Sequence, residues 1–141
     1  MIPLSGGILI DAHDGVPRLL LGRRAVTRRS RLGVWDVIGG HIEPGETAER
    51  ALVRELWEEI GVTPLAWREV GHFVVPTFGD GPEALGLDFR LYAVTAWEGT
   101  PRNLQPEEHD AIAWFGIAEA CGLDLAHPDY PALFREIGDL P

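Results

Sequence analysis

The apolar positions of this chain fall into short runs punctuated by glycine, proline and charged clusters. "LSGGILID" at residues 4–11 and "VPRLLLGRR" at 16–24 read as β-strands, with a turn in "DAHDG" between them. "RSRLG" reads as a loop. "VWDVIGGHIEPGE" starts apolar and strand-like, then breaks at its paired glycines and at Pro44-Gly45. Residues 47–60 change period and predict a helix, with Thr47 as N-cap and Gly61 as the residue that ends it. Leu52, Leu56 and Ile60, flanked by Val53, make one apolar stripe of that helix. Glu55, Glu58 and Glu59 fall on a neighbouring face, within about a 100° arc. Ala48 and Ala51 share that face, and their small side chains leave room for something to approach. Beyond the helix, "LAWREVGHFVV" and "LDFRLYAVTAW" predict two strands separated by the loop "PTFGDGPEALG", and "AIAWF" a short final strand. "IAEAC" and "PALFREIG" predict closing helices, the second with Pro131 in its first turn. Strands on both sides of an acidic helix, with helices at the end, predict a mixed α/β sandwich. A length of 141 residues suits one domain, 1–141, with a single core.

Composition narrows the function classes. Hydrophobic residues make up 45% and charged residues 24%, an ordinary globular balance rather than that of a disordered tail. No apolar run approaches the roughly 20 residues of a bilayer span. "MIPLSGGILIDAHDG" lacks the basic and long apolar regions of a signal peptide, so the expected location is the cytoplasm. A net charge of −10 argues against binding a nucleic-acid polymer or an anionic membrane surface. Every basic residue is arginine, and Arg23, Arg24, Arg28, Arg29 and Arg31 cluster ahead of the acidic stretch. Such a local basic patch is a candidate for holding small phosphates. Cys121 is the only cysteine; it forms no internal disulfide and reads as a small, partly buried residue.

The acidic helix face carries the chemistry. Arg50 and Arg54 stand at helical spacing and offset some of its charge. The excess is still negative, and it lies toward the helix C-terminus, where the macrodipole disfavours carboxylates. A divalent cation relieves both problems, and carboxylate oxygens are hard ligands suited to Mg²⁺ or Mn²⁺. An ion of that kind also explains how an acidic protein accepts an anionic phosphate substrate.

These residues resemble the Nudix (MutT-like) hydrolase family. The box of that family runs Gly, five residues, Glu, seven residues, Arg-Glu, an aliphatic residue, any residue, Glu-Glu, any residue, Gly, aliphatic. Here it is Gly40, Glu46, Arg54-Glu55, Leu56, Trp57, Glu58-Glu59, Ile60, Gly61 and Val62, with every defined position matched. Ile38 departs from the proline that many members carry before the box. The resemblance implies a Nudix-type α/β/α sandwich and metal-dependent hydrolysis of the pyrophosphate bond in a nucleoside diphosphate linked to another group. The substrate would be an NTP or dNTP, or a nucleotide sugar or ADP-ribose. It further implies Glu58 and Glu59 as metal ligands, and Glu55 as ligand or as base for the attacking water. The Gly39 carbonyl joins the metal shell in relatives, and Arg54 and Glu46 pair to orient the helix. The catalytic set is thus Glu46, Arg54, Glu55, Glu58 and Glu59, with Mg²⁺ or Mn²⁺ as cofactor.

Outside the box, relatives complete the site with a carboxylate from a distant loop. Glu107, Glu108 and Asp110 are the candidates, with Glu108 preferred. His109 reads as a surface or turn residue and His41 as a variable position. Trp35 and Trp114 read as core, and Trp57 as packing on a neighbour. Arg23, Arg24 and Arg31 are the phosphate-binding candidates, and Phe78 the candidate platform for a nucleobase. The expected partner is a small nucleotide-diphosphate compound, and the resemblance leaves a homodimer open. A rival reading is a Nudix-like sensor that binds a nucleotide or sugar phosphate without cleaving it; such proteins usually lose box glutamates, and none is lost here.

Overall fold

A computed structural model describes residues 1–25, 33–78 and 85–139, with backbone alone for 75–78 and 85. The predicted loop "RSRLG", up to Gly33, and the centre of "PTFGDGPEALG" lie outside the described residues. So do Arg28, Arg29 and Arg31 and the side chain of Phe78.

The chain runs β1 (Ile2–His13), β2 (Val16–Arg24), β3 (Trp35–Asp36), β4 (Ile38–His41), α1 (Ala48–Ile60), β5 (Thr63–Phe78), β6 (Leu85–Glu98), β7 (His109–Gly116), α2 (Ile117–Cys121) and α3 (Tyr130–Gly138). β1 and β2 meet in a two-residue turn, Asp14 and Gly15, both at positive φ, which suits the twist of a hairpin. β1 is central. It lies parallel to β6 over residues 2–9 and gives its other edge first to β4 and then to β2. β7 extends the β2 side and β5 the β6 side, both antiparallel. Because β4 and β2 share one edge of β1 in succession, the sheet splays where they part.

Alternation along the central strands builds two cores. Leu9, Leu20, Tyr92 and Val94 face Leu52, Leu56 and Ile60 of α1. Ile8, Leu19, Leu21, Leu91 and Ala93 face Leu133, Phe134 and Ile137 of α3. Each fully buried leucine or isoleucine contributes about 1.5–3 kcal/mol relative to exposure. The result is the mixed sheet covered by helices on both faces, an α/β/α sandwich.

Two expectations about this region are corrected. The paired glycines do not end the strand; β4 runs through Gly39 and Gly40. They are needed for close approach: a Cβ on Gly39 would lie 2.1 Å from the Ser5 carbonyl oxygen of β1, and one on Gly40 2.7 Å from Glu55 Oε1. The space beside Ala51 is also not open, because Ala51 is fully buried. Ala48, whose carbonyl accepts from Ser5 Oγ at 2.7 Å, is half-buried and lines a separate cavity of about 340 Å³ with Trp67 and Arg90 rather than the one beside Glu55, Glu58 and Glu59.

Candidate active site

The acidic face is positioned by the two ends of α1. Thr47 Oγ1 accepts from the Arg50 amide, and Gly61 takes the left-handed conformation at φ 72° that closes the helix. The last carbonyls of α1 are met from a distant loop: the Arg102 amide donates to Ile60 O and the Leu104 amide to Glu59 O. That docking carries Gln105, Glu108 and His109 against the acidic helix. The splay in the sheet opens beside them as a cavity of about 400 Å³. Glu55, Glu58, Glu59, Gly39, Gly40 and Glu108 line one part of it, and Ile2, Leu4, Leu87 and Phe89 an apolar part.

Arg54 organises the carboxylates. It meets Glu46 at two points, Nε to Oε2 and Nη2 to Oε1, both 2.9 Å, and Nη2 also donates to the His41 carbonyl at 2.9 Å. Its Nη1 reaches Glu55 Oε1 at 2.9 Å and Glu58 Oε2 at 3.3 Å. The hydrogen bonds from Arg54 hold Glu46 down at about 2, and those carboxylates raise Arg54 in turn. Glu55 goes the other way. Burial, then the charge of Glu59, push it up to about 7, outweighing its bond to Arg54. Glu59 is raised as well, chiefly by burial and against the opposing effect of its bond to His109.

These groups fit a divalent cation by two measures. The donors are hard oxygens, and Glu59 Oε2 is buried with no hydrogen-bond partner. Burial has left more carboxylate than Arg54 compensates. Among the described residues, no three acidic, histidine or cysteine side chains stand ready as a closed cage. Arg54 and His109 engage the carboxylates instead.

The other candidates sort by strand alternation. Arg24 lines the cavity, while Arg23 does not; it is turned to Asp110, 2.6 Å away, with its guanidinium over the Trp35 ring. Arg24 is braced from behind. Its Nε and Nη2 donate to Asp36 Oδ2 at 3.2 and 3.1 Å, and Asp36 Oδ1 accepts from Tyr130 OH and the Val37 amide, both at 2.7 Å. Burial and the Asp36 charge push the Tyr130 phenol well up. Of the loop carboxylates, Glu108 lines the cavity, Asp110 is engaged by Arg23, and Glu107 is exposed outside the lining.

Two expectations fail here. Trp57 leaves most of its ring to solvent rather than packing it away; it is 61% exposed, because the free position of the box points away from the cavity. His109 is neither a surface nor a turn residue. It opens β7, is 4% exposed, and stands 3.2 Å from Glu59 Oε1 through Nε2. Trp35 does pack in the core edge-on to Phe115, and Trp114 is half-buried and stacks on Trp97.

A family model described as the NUDIX domain matches residues 3–137. The chain is 36% identical over 126 residues to CTP pyrophosphohydrolase of Escherichia coli, covering 88% of this chain and 84% of that protein. It is 42% identical over 114 residues to nucleoside triphosphatase NudI of an Enterobacter species, covering 75% and 78%. The solved structure of a MutT NUDIX hydrolase from Burkholderia pseudomallei superposes with a TM-score of 0.71 at 26% identity, covering 97% and 99%. The fold and the box thus define an enzyme that hydrolyses nucleoside diphosphate linkages, with the divalent metal that this class generally uses. The chain belongs to the Nudix hydrolase family.

Proposed function

We propose that this enzyme, acting as a single domain in the cytoplasm, hydrolyses nucleoside triphosphates to the monophosphate and pyrophosphate with Mg²⁺ or Mn²⁺. The observation that carries the reading is the division of one cavity of about 400 Å³. Its acidic wall and Arg24 suit an ion-bound phosphate chain, and its apolar wall suits one nucleobase. A volume at the low end of ligand pockets favours one nucleoside over a dinucleotide. The names of the relatives, a CTP pyrophosphohydrolase and a nucleoside triphosphatase, point the same way.

In this reading Glu58 and Glu59, with the Gly39 carbonyl and Glu108, would hold the ion. When bound, such an ion neutralises phosphate charge and lowers the pKa of coordinated water. Glu55 takes the proton from the water that attacks phosphorus, and a value of about 7 suits a base working near neutrality. The new bond joins water oxygen to the α- or β-phosphorus and the bond from that phosphorus to the α–β bridging oxygen breaks, with that oxygen leaving on pyrophosphate in the first case and on the nucleoside monophosphate in the second. Arg54, fixed by Glu46, holds Glu55 and Glu58 in place. Arg24 meets the phosphates. Among the described helices, none is long and apolar enough to cross a membrane.

The test is a substrate panel with each metal, covering NTPs, oxidised dNTPs, ADP-ribose, nucleotide sugars and dinucleotides, with products identified by mass. The expected result is fastest turnover on a nucleoside triphosphate, giving monophosphate and pyrophosphate. Preference for ADP-ribose or a dinucleotide overturns it.

A further inference from the structure

The pairing of β2 with β7 slips by one residue beside the cavity. Arg23 faces Ala111, but Arg24 faces His109, so Asp110 is the extra residue of a bulge. The bulge shifts the alternation of β7, so that His109 rather than Asp110 takes the face of Ile112 and Trp114. Asp110 points out to Arg23 at 2.6 Å, and His109 turns into the protein. The backbone of His109 is pinned on both sides, its carbonyl accepting from Asn103 Nδ2 at 2.7 Å and its amide donating to Gln105 O at 3.1 Å. Its ring lies flush on β2 at Gly22. A Cβ there would fall 2.6 Å from His109 Nδ1 and 3.0 Å from Cγ, so only glycine leaves the ring its place.

At the other end of the ring, Nε2 meets Glu59 Oε1 at 3.2 Å. A carboxylate oxygen accepts, so Nε2 carries the proton. Glu59 Oε2 is left buried and without a hydrogen-bond partner, in a residue that lines the cavity. A buried acceptor with nothing to accept from is costly. One oxygen of Glu59 is therefore tied and the other held in reserve.

We propose that His109 is a positioning residue, clamping one oxygen of Glu59 so that the other is presented to the divalent ion. The bulge and Gly22 are the parts of the fold that deliver it. The inference rests on the reading of Glu59 as an ion-holding carboxylate. Partners of this kind orient metal ligands, and their loss costs roughly 10–100-fold in metal affinity or activity.

The experiment measures Mn²⁺ affinity of the substrate-free protein by electron paramagnetic resonance, beside kcat and KM, with folding followed by circular dichroism. His109→Leu removes the donor, and Gly22→Ala displaces the ring without changing it. Both are expected to weaken Mn²⁺ binding roughly 10–100-fold and to lower kcat, with the nucleotide KM little moved. His109→Gln, whose amide nitrogen reaches as far as Nε2, is expected to recover most of both losses. His109→Asn, with a shorter reach, is not. Should His109→Leu fail to fold, the Gln and Asn pair decides: equal Mn²⁺ affinity in the two overturns the proposal. Parental affinity and turnover in a folded His109→Leu protein also overturn it. Glu59→Gln separates the two levels. If it binds Mn²⁺ like the parent, the reading of Glu59 fails; if it loses the ion while His109→Leu does not, only the clamp fails.

Discussion

Arg54 and Glu46, on either side of the helix start, meet at two points of 2.9 Å each, and the same guanidinium reaches the His41 carbonyl and both Glu55 and Glu58. One planar fork thus ties the loop before α1 to its acidic face. A lysine offers a point charge and cannot make these contacts together. Arg54→Lys is expected to lower kcat on the order of 10–100-fold while the circular dichroism spectrum is kept. Steady-state kinetics check this, and a variant as active as the parent removes Arg54 from the role given to it.

Glu59→Gln keeps the shape of the side chain and removes a buried charge. Turnover is expected to fall on the order of 10²–10⁴-fold. Thermal stability of the metal-free protein should hold or rise, because the desolvation that raises Glu59 is relieved. Calorimetry alongside the activity assay separates a lost role from a lost fold.

Glu55 and Glu59, both raised by burial, give stability a pH dependence of one sign, and Glu55 sets its window. The folded value of Glu55 is raised from 4.5 to about 7, so the folded state binds the proton more tightly than the unfolded chain does. The associated stability is present below about 4.5 and is lost as pH rises through about 7. Melting temperature of the metal-free protein should therefore fall over that window. Glu46, depressed to about 2, acts in the opposite sense and costs stability only as pH drops from 4.5 toward 2. Mg²⁺ or Mn²⁺ at 100 times its Kd should restore about 2.7 kcal/mol at neutral pH. Melts across pH with chelator, then with metal, read all of this. Glu55→Gln should flatten the fall above 4.5, and an unchanged slope in that variant would sink the assignment.

Leu56 lies at the centre of the core under α1 and has no exposed surface. Leu56→Ala is expected to cost about 2–5 kcal/mol, read as a lower urea midpoint. A loss below about 1 kcal/mol would mean that the helix is held chiefly by its polar contacts.

Tyr130→Phe keeps the ring stacked on Phe134 and removes only the hydroxyl that meets Asp36. About 1.5–3 kcal/mol of stability should go with that hydrogen bond to a charged acceptor. Urea denaturation measures it. An unaltered midpoint would show that the Val37 amide alone satisfies Asp36 Oδ1.

What the sequence made legible was local. The helix under the box could be placed from Thr47, Gly61 and the Leu52, Leu56, Ile60 stripe, because caps and a 3.6-residue period act within one segment. The Nudix spacing did the same for the acidic face. What escaped was set by pairing between distant strands. Gly39 and Gly40 look like breakers until β1 is laid against them, and Ala51 looks open for the same reason. Continuing the alternation of Ile112 and Trp114 would turn Asp110 inward and His109 outward, and a bulge reverses the two. No alternation rule applied to β7 alone reveals that. Only Gly22, facing Ile112 across the pair, hinted that something presses on β2 there.

The parallel pairing of β1 with β6 has a consequence for synthesis. β1 leaves the ribosome well before β6, the strand that covers its flank and begins only at Leu85. A nascent chain stopped before that point leaves the central strand with an uncovered edge of backbone donors and acceptors. Parallel pairing of this span is slow to form and open to association with other chains meanwhile. Synthesis through β6 thus closes the interval in which that edge is open to another chain.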